Sequence, residues 1–409
     1  ALSRFSELGF PTKRRGNEEW KYTDVRPIVR LPFAPTIESG DDDPVSADQL
    51  DRLSPGGSAW HRVVMVNGRY RADLSSTGDL PEGVQVMGLA EAIQAGGAII
   101  EANLGRLAAY DEDGFAALNT AFVHEGVFIQ IPDRAELEQP IDVIFLVTAR
   151  GHEAATQPRV LIVVGRDTRA TVVETYASLD DSIQTLTNSV TEVVVGAGSA
   201  LNRYTMQLQN EETYGVATTH VEVQENANFT SVYTDIGGAL IRNNLSVDMV
   251  GEGGYCTLNG SYIVSRRQHI DNQIMIDHKV GHTGARELYK GILDGKSRSV
   301  FHGSIIVREG AAKIDALQED KNLLLSNEAE ADTKPAFWIY CDDVRCGHGA
   351  ACGALDDDAM FYLRSRGLDE EAARQLLIRG FIAEIVDTIK HEEVRKHVDR
   401  LVSQKLSNL

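Results

Sequence analysis

The sequence has few cysteines and a shortage of basic residues, and each shortage excludes a class of protein. Four cysteines in 409 residues, Cys256, Cys341, Cys346 and Cys352, are too few for a disulfide framework. Reduced thiols and a cytoplasmic location are therefore expected. Lys and Arg number 40 against 60 Asp and Glu, for a formal net charge of −20. Phosphate binding needs concentrated Lys and Arg, so neither nucleic acid nor an anionic membrane surface is an expected partner.

Long apolar segments are missing as well. No apolar run approaches the length that spans a bilayer, and the first twenty residues, ALSRFSELGFPTKRRGNEEW, lack the apolar region of a secretory signal. We therefore expect no membrane segment and no targeting signal. The overall composition, 43% hydrophobic and 24% charged, is ordinary for a folded chain. Its length predicts two or three domains, or one elongated repeat body with appendages.

Familiar catalytic motifs are absent too. Neither G-x-S-x-G nor H-E-x-x-H occurs. The segment Gly291–Ser297 resembles a phosphate-binding loop, but it has three residues instead of four between its glycines. It also lies among strand-like runs, without the helix whose N-terminus would hold a phosphate. A tight turn at Asp294 and Gly295 explains the segment better, so no nucleotide site is predicted here.

Three regions differ in composition, and residues 1–125 form the first. Arg14 to Val25 is charged and aromatic, and the acidic stretch from Thr36 to Asp51 is typical of a loop or linker. Leu89 to Ala108 and Phe115 to Val123 place apolar residues at helical spacing. This region is predicted to be mixed and mostly helical, with a few strands.

Residues 126–354 form the second region, in which short β-branched runs alternate with Gly, Asn and Asp. The runs recur at intervals of 26 to 32 residues and begin near Leu161, Val193, Val221, Val247, Ile274, Ile305 and Phe337. Such a repeat, with strands but no helices, predicts stacked β-coils that share one core. A β-sandwich is the competing fold, but it has no reason to repeat at this interval. A parallel β-helix is favoured.

Residues 355–409 form the third region, which is predicted to be three amphipathic helices. Asp356 to Asp358 can cap the first helix, Gly367 ends it, and Asp369 opens the second. The apolar positions of the first helix are Met360, Phe361 and Leu363. The second helix is predicted to bury one face, formed by Ala373, Leu376, Leu377, Phe381, Ile385 and Ile389. The third carries Val394, Val398, Leu401, Val402 and Leu406. The helices either cap the open end of the β-helix or dock a partner.

Cysteine and histidine cluster between the second and third regions. Cys341, Cys346, His348 and Cys352 fall within twelve positions. Thiolates and imidazole are the ligands expected for zinc, ferrous iron or an iron–sulfur cluster. None of the spacings is C-x-x-C, so Cys346 and His348 are predicted to supply two ligands and a partner chain the rest. The other cysteines are predicted to be core residues.

The segment that holds this cluster closely resembles the carboxy-terminal signature of the SufB/SufD family of the SUF iron–sulfur cluster assembly system. The resemblance lies in Thr333–Pro335, Ile339–Ala350, Leu355–Asp356 and Phe361–Gly367. Further segments are similar to other family motifs: Glu18–Asp24, Asp271–Asn272, Asp277–His278, Leu288–Gly291 and Val300–Gly303. SufB-like members carry a cysteine where this chain has Asp320, and E-H-E where it has Cys346-Gly-His348. Both departures favour the SufD-like branch.

The resemblance implies a right-handed parallel β-helix core flanked by helical domains. It also implies that the chain is a non-catalytic scaffold subunit of a SufB–SufC–SufD complex, in which the ATPase activity resides in SufC. The SufB and SufD cores are expected to pair edge to edge. Iron or a nascent cluster, with none tightly bound by the isolated chain, is expected at that interface. His348, with Cys346, is the expected ligand on this side, facing a SufB thiolate.

The C-terminal helices are implied to bind SufC. The expected contact residues are Phe361, Leu363, Arg366, Leu377 and Phe381. The Phe and Leu members are equally compatible with capping the solenoid. Two alternatives stay open: a homodimer that acts with SufC alone, and a cytoplasmic carbohydrate-active β-helix enzyme with a scattered site that motifs do not reveal.

Overall fold

The computed structural model describes residues 1–12, 18–35, 44–78, 80–148 and 153–409. Residues 14–17 of the predicted charged segment and 36–43 of the predicted linker lie outside this description. Within the described residues the α-helices are α1 (Leu2–Leu8), α2 (Arg26–Arg30), α3 (Ala47–Leu53), α4 (Leu89–Ala95), α5 (Ala98–Asn103), α6 (Gly114–Phe122), α7 (Asp357–Ser365), α8 (Glu370–Val386) and α9 (Glu392–Leu406). None of these helices combines the length and apolar character needed to cross a bilayer.

The strands fall into an N-terminal group and a long regular series. The first group comprises β1 (Ala34–Pro35), β2 (His61–Val66), β3 (Arg69–Tyr70), β4 (Gln85–Gly88), β5 (Gly126–Ile131), β6 (Ile141–Val147), β7 (Ala154–Thr156) and β8 (Arg159–Val164). The series comprises β9 (Arg169–Ser178), β10 (Thr185–Val195), β11 (Ala200–Leu208), β12 (Thr213–Val223), β13 (Asn228–Asp235), β14 (Leu240–Met249), β15 (Tyr255–Val264), β16 (His269–His278), β17 (Gly284–Leu293), β18 (Arg298–Val307), β19 (Ile314–Leu324), β20 (Glu330–Ile339) and β21 (Val344–Gly353).

Two parallel sheets form the walls of a β-solenoid. Wall A runs β20-β18-β16-β14-β12-β10-β8-β5-β4, and wall B runs β21-β19-β17-β15-β13-β11-β9-β6-β2-β3. From β8 onward, consecutive long strands alternate between the walls, so each coil adds one strand to each. The parallel β-helix prediction is confirmed, and the antiparallel sandwich is excluded.

Most of the predicted run starts are Cα partners of one another along wall A. Val193 pairs with Val221, and Val221 pairs with Val247. The same ladder continues to Ile276, Ile305 and Phe337. These side chains stack in one continuous core between the walls. The predicted run starts at Leu161 and Ile274 lie one and two residues before the ladder positions Ile162 and Ile276.

The N-terminal region contains six α-helices among its described residues, and it also completes one end of the walls. Strand β2 pairs in parallel with β6, while β4 pairs antiparallel with β5. Helices α4 and α6 begin where apolar spacing predicted them, at Leu89 and next to Phe115. The division of the chain at residues 125 and 354 stays a prediction.

Helices α8 and α9 lie on the outer face of wall B, and α7 packs against α8. Helices α8 and α9 pack Ile382, Ile385 and Val398 against outward side chains of the wall such as Ile263 and Ile292. Asp356 and Asp369 cap α7 and α8 as predicted. The predicted buried face of α8 is partly wrong. Leu376 is 51% exposed, whereas Ile378, Ile382 and Val386 are buried, because wall B covers a neighbouring side of the helix.

Candidate metal site at the open end of the solenoid

Strands β20 and β21 end the two walls. Each has ten residues, and in the described part of the chain each has a neighbour along one edge only. Neither strand contains a fully buried residue. Trp338, Ile339 and Tyr340 expose large apolar side chains beside these edges. A long, exposed, partly apolar strand edge is a template for pairing with another chain.

The predicted ligands lie on the inward face of β21. Cys346, His348 and Cys352 are Cα partners of Ala316, Gln318 and Asn322, which are buried inside the solenoid. Successive side chains along a strand point to opposite faces, so these three point towards the interior of the solenoid. They lie at its open end, called the mouth below, which is formed by β20 and β21. The His348 ring meets the Phe337 ring of wall A edge-on, with 4.8 Å between ring centroids.

Exposure differs among the cysteines. Cys256 is fully buried as predicted, and burial raises the pKa of its thiol. Cys341 is half-buried. The prediction that Cys352 belongs to the core is wrong, because no further coil covers the last strand and Cys352 is exposed. Sequence reasoning placed Cys352 in the cysteine and histidine cluster but assigned it to the core.

The described side chains do not form a complete metal site by themselves. No group of three or more His, Cys, Asp and Glu in the described residues is arranged to hold a metal ion. Cys346 and His348 are two apart on one strand, so their Cα atoms are about 6.6 Å apart and their side chains point to the same face. Half-burial raises the pKa of the Cys346 thiol, which favours its protonated form.

A polar interior lies beneath the mouth. Gln318 Nε2 donates a hydrogen bond of 3.0 Å to Glu287 Oε2, and both residues are buried. Burial raises the pKa of Glu287 to about 8. Asn322 accepts from the Tyr262 hydroxyl at 2.6 Å and donates to Asp320 at 2.8 Å. Inward polar residues at alternate strand positions were the sequence signal for this network.

Glycines on the strands make room for these polar side chains. A Cβ atom on Gly303 would lie 1.6 Å from Gln318 Nε2, and one on Gly291 would lie 2.0 Å from the Tyr262 ring. Gly291 is thus a packing residue, which explains the false resemblance to a phosphate loop. Gly295 has φ +63, as the predicted tight turn requires.

The predicted partner-contact residues separate into two groups. Phe361 and Leu363 belong to α7, a helix with no buried residue, and Arg366 directly follows it. Phe361 is 75% exposed. Leu377 and Phe381 are half-buried on α8. Phe381 lies against Lys290 of wall B, so it docks α8 on the solenoid.

Comparison with known proteins shows one family along the chain. The family described as "SUF system FeS cluster assembly, SufBD core domain" matches residues 145–381, and "SufBD protein N-terminal region" matches residues 1–143. The iron–sulfur cluster assembly protein SufD of Escherichia coli is 29% identical over 99% of this chain and 91% of its own length. A SufBD family protein of Synechocystis is 29% identical over 98% and 89%, and SufD of Bacillus subtilis is 28% identical over 72% and 68%. The chain belongs to the SufBD family of iron–sulfur cluster assembly proteins.

Proposed function

We propose that the chain is a SufD-like, non-catalytic scaffold subunit in a complex with SufB-like and SufC-like partners. In this complex His348, with Cys346, binds iron or a nascent cluster at the interface with the SufB-like chain. The observation that carries this proposal is the placement of His348 on the inward face of β21, the last strand of wall B, whose outer edge has no neighbour among the described residues.

The two exposed edges suit a partner with the same architecture. Another two-walled solenoid can continue both walls at once, because its end coil presents two strands at a matching separation. Such pairing would cover the apolar side chains of Trp338, Ile339 and Tyr340. It would also bring the partner's last coil against Cys346 and His348. A second copy of this chain has the same cross-section, so the homodimer is the alternative to be tested.

The thiol of Cys346 and the imidazole of His348 suit the transient binding of iron in a site shared with the partner. Neutral imidazole and thiolate both bind ferrous iron and iron–sulfur clusters. Because burial favours the protonated Cys346 thiol, metal binding there releases a proton. A thiolate from the partner would complete a ligand set that this chain holds only in part.

The C-terminal helices provide a second docking surface, which we assign to the SufC-like ATPase. Helix α7 buries none of its residues, although it carries Phe361 and Tyr362. Isolated short helices are marginal in water, so a partner is expected to stabilise this one. Helix α8 is anchored on β17 through Lys290, and Lys290 is linked by strand pairing to Lys321 and then Ala351 of β21. Movement driven by ATP at the helices would reach the metal site by this route.

The test is co-expression of the chain with SufB-like and SufC-like partners, followed by measurement of complex size and bound iron. His348→Ala should leave assembly intact and lower the iron content, and Cys346→Ala should lower it less. His124→Ala, on an exposed residue outside the walls' open end, is the matched control. Unchanged iron and cluster formation in His348→Ala would refute the ligand role. A stable homodimer with SufC, formed in the presence of the SufB-like chain, would favour the alternative.

A further inference from the structure

Three stacked side chains lead from the open mouth into the solenoid. His348, Gln318 and Glu287 are successive Cα partners on β21, β19 and β17. Gln318 Nε2 donates to Glu287 Oε2, but Gln318 Oε1 accepts no hydrogen bond from the described residues although it is buried. Buried acceptors are normally satisfied, so this oxygen requires an explanation.

The orientation of the Gln318 amide follows from its surroundings. Nε2 is held between Glu287 and the backbone of Gly303, where a Cβ atom would collide with it. Oε1 is therefore the free end of the amide. In the column, the remaining neighbour of Gln318 is His348, one strand closer to the mouth.

His348 is the strand partner of Gln318, and both side chains are on the inward face of wall B. The edge-on contact of the His348 ring with Phe337 places this ring over the interior. Neighbouring strands are about 4.8 Å apart, so a modest rotation of the side chain brings a ring nitrogen to Gln318 Oε1. Histidines that bind a metal through one ring nitrogen normally donate the other N–H to a fixed acceptor.

We propose that Gln318 is a positioning residue for His348: its Oε1 accepts a hydrogen bond from one ring N–H and directs the other ring nitrogen to the metal. Glu287 holds the Gln318 amide in the required orientation. This inference rests on the proposed ligand role of His348. It adds a residue inside the solenoid that selects the tautomer of the ligand.

The state of Glu287 supports this arrangement. Burial raises its pKa to about 8, so at neutral pH it is a carboxylic acid. Its second oxygen, Oε1, also lacks a partner. A protonated Glu287 still accepts the Gln318 Nε2–H bond at Oε2, which leaves Gln318 Oε1 free for His348.

The first test reads the tautomer directly and needs neither metal nor partner. The full chain is labelled with ¹⁵N-histidine, and the His348 signals are assigned by their loss in His348→Ala. We expect one neutral tautomer to dominate at pH 8, and Gln318→Leu to return the ring to a mixture. Glu287→Gln keeps both hydrogen-bonding groups and should leave the ratio unchanged. An unchanged ratio in Gln318→Leu overturns the inference; Gln318→Met serves if the Leu variant does not fold.

The second test measures Co²⁺ affinity of the assembled complex by visible absorption. Gln318→Leu should weaken binding roughly 10- to 100-fold, the usual effect of losing such a partner. The exchanged pair Glu287→Gln/Gln318→Glu keeps an acceptor below His348 and should recover most of the loss. Equal affinity in wild type and Gln318→Leu overturns the positioning role. If instead His348→Ala leaves Co²⁺ binding intact while the Gln318→Leu tautomer changes, the ligand role fails and the hydrogen bond stands.

Discussion

The ammonium group of Lys290 on β17 donates a hydrogen bond of 2.9 Å to the backbone oxygen of Phe381 on α8, and it lies 4.5 Å from the centroid of the Phe381 ring. Glu384, one turn further along α8, forms an ion pair with the same ammonium group. Lys290 therefore fixes the C-terminal helices to the strand that also carries Glu287. One strand connects the proposed ATPase-binding helices with the interior below His348.

Removing this anchor should loosen α8. Lys290→Met keeps the apolar stem but loses the charged hydrogen bond, so we expect a loss of about 1.5–3 kcal/mol in the free energy of unfolding. Proteolysis should also become faster in the C-terminal helices. Lys296→Met is the control, because Lys296 pairs with Glu328 at the exposed surface and should cost less than about 1 kcal/mol. Equal losses in urea unfolding would contradict the anchoring role.

The buried acid Glu287 should make stability depend on pH. Its pKa is about 8 in the folded protein, above the ordinary value of 4.5, so the folded state holds the proton more tightly. The stabilisation is complete below about pH 4.5 and is lost as the pH rises through about 8. The slope approaches about 1.4 kcal/mol per pH unit within this window.

Glu287→Gln removes the titrating carboxyl group and keeps a hydrogen-bonding side chain of the same size. The free energy of unfolding of the variant relative to wild type should therefore rise from pH 5 to pH 9. Urea unfolding across this range measures the difference. Glu309→Gln, at an exposed turn position, is the control. A constant difference between Glu287→Gln and wild type at all pH values would show that Glu287 does not change its protonation on unfolding.

Gly303 should be intolerant of a side chain. The Cβ of Gly303→Ala would meet the Gln318 amide, and overpacking of this kind costs about 1–3 kcal/mol. Gly349→Ala is the matched control on β21, where the nearest atom would be 4.0 Å away. Thermal unfolding should separate the two variants clearly. Gln318→Ala in the Gly303→Ala background should recover part of the loss; no recovery would mean that another contact causes it.

The sequence revealed the repeat because wall A places β-branched residues in one ladder, as at Val193, Val221 and Val247. It did not reveal that Glu287 and Gln318 stack, because this depends on coil lengths that vary along the chain. The sequence did not predict which side of α8 is buried. Leu376 and Ile378 each continue an apolar face of the helix, and the position of wall B determines which of the two faces is covered. The prediction for Cys352 is wrong because composition does not show which strand is last.

A charged residue in place of Trp338 on β20 should weaken binding of the SufB-like chain at the edge of the solenoid. Trp338 is 42% exposed on β20, so Trp338→Asp should lower the free energy of unfolding by about 1–2 kcal/mol and leave the chain folded. A buried, unpaired carboxylate in the interface would be costly, and co-purification with the SufB-like chain should fall. Met275→Asp, on β16 within wall A, is the control. Equal recovery of the partner with both variants would place the interface elsewhere.

Phe361, the most exposed of the large apolar residues of α7, should matter for ATPase binding and not for folding. Phe361→Asp removes a side chain that contacts solvent over most of its surface, so the unfolding transition should stay unchanged. Binding of the SufC-like chain, measured by titration calorimetry with the full chain, should weaken at least tenfold if Phe361 is a central contact, which corresponds to about 1.4 kcal/mol. Leu2→Asp on α1, another exposed apolar residue, should bind normally. Wild-type affinity in Phe361→Asp would exclude α7 as the docking helix and leave the exposed side of α8, around Leu376, as the remaining surface of this domain.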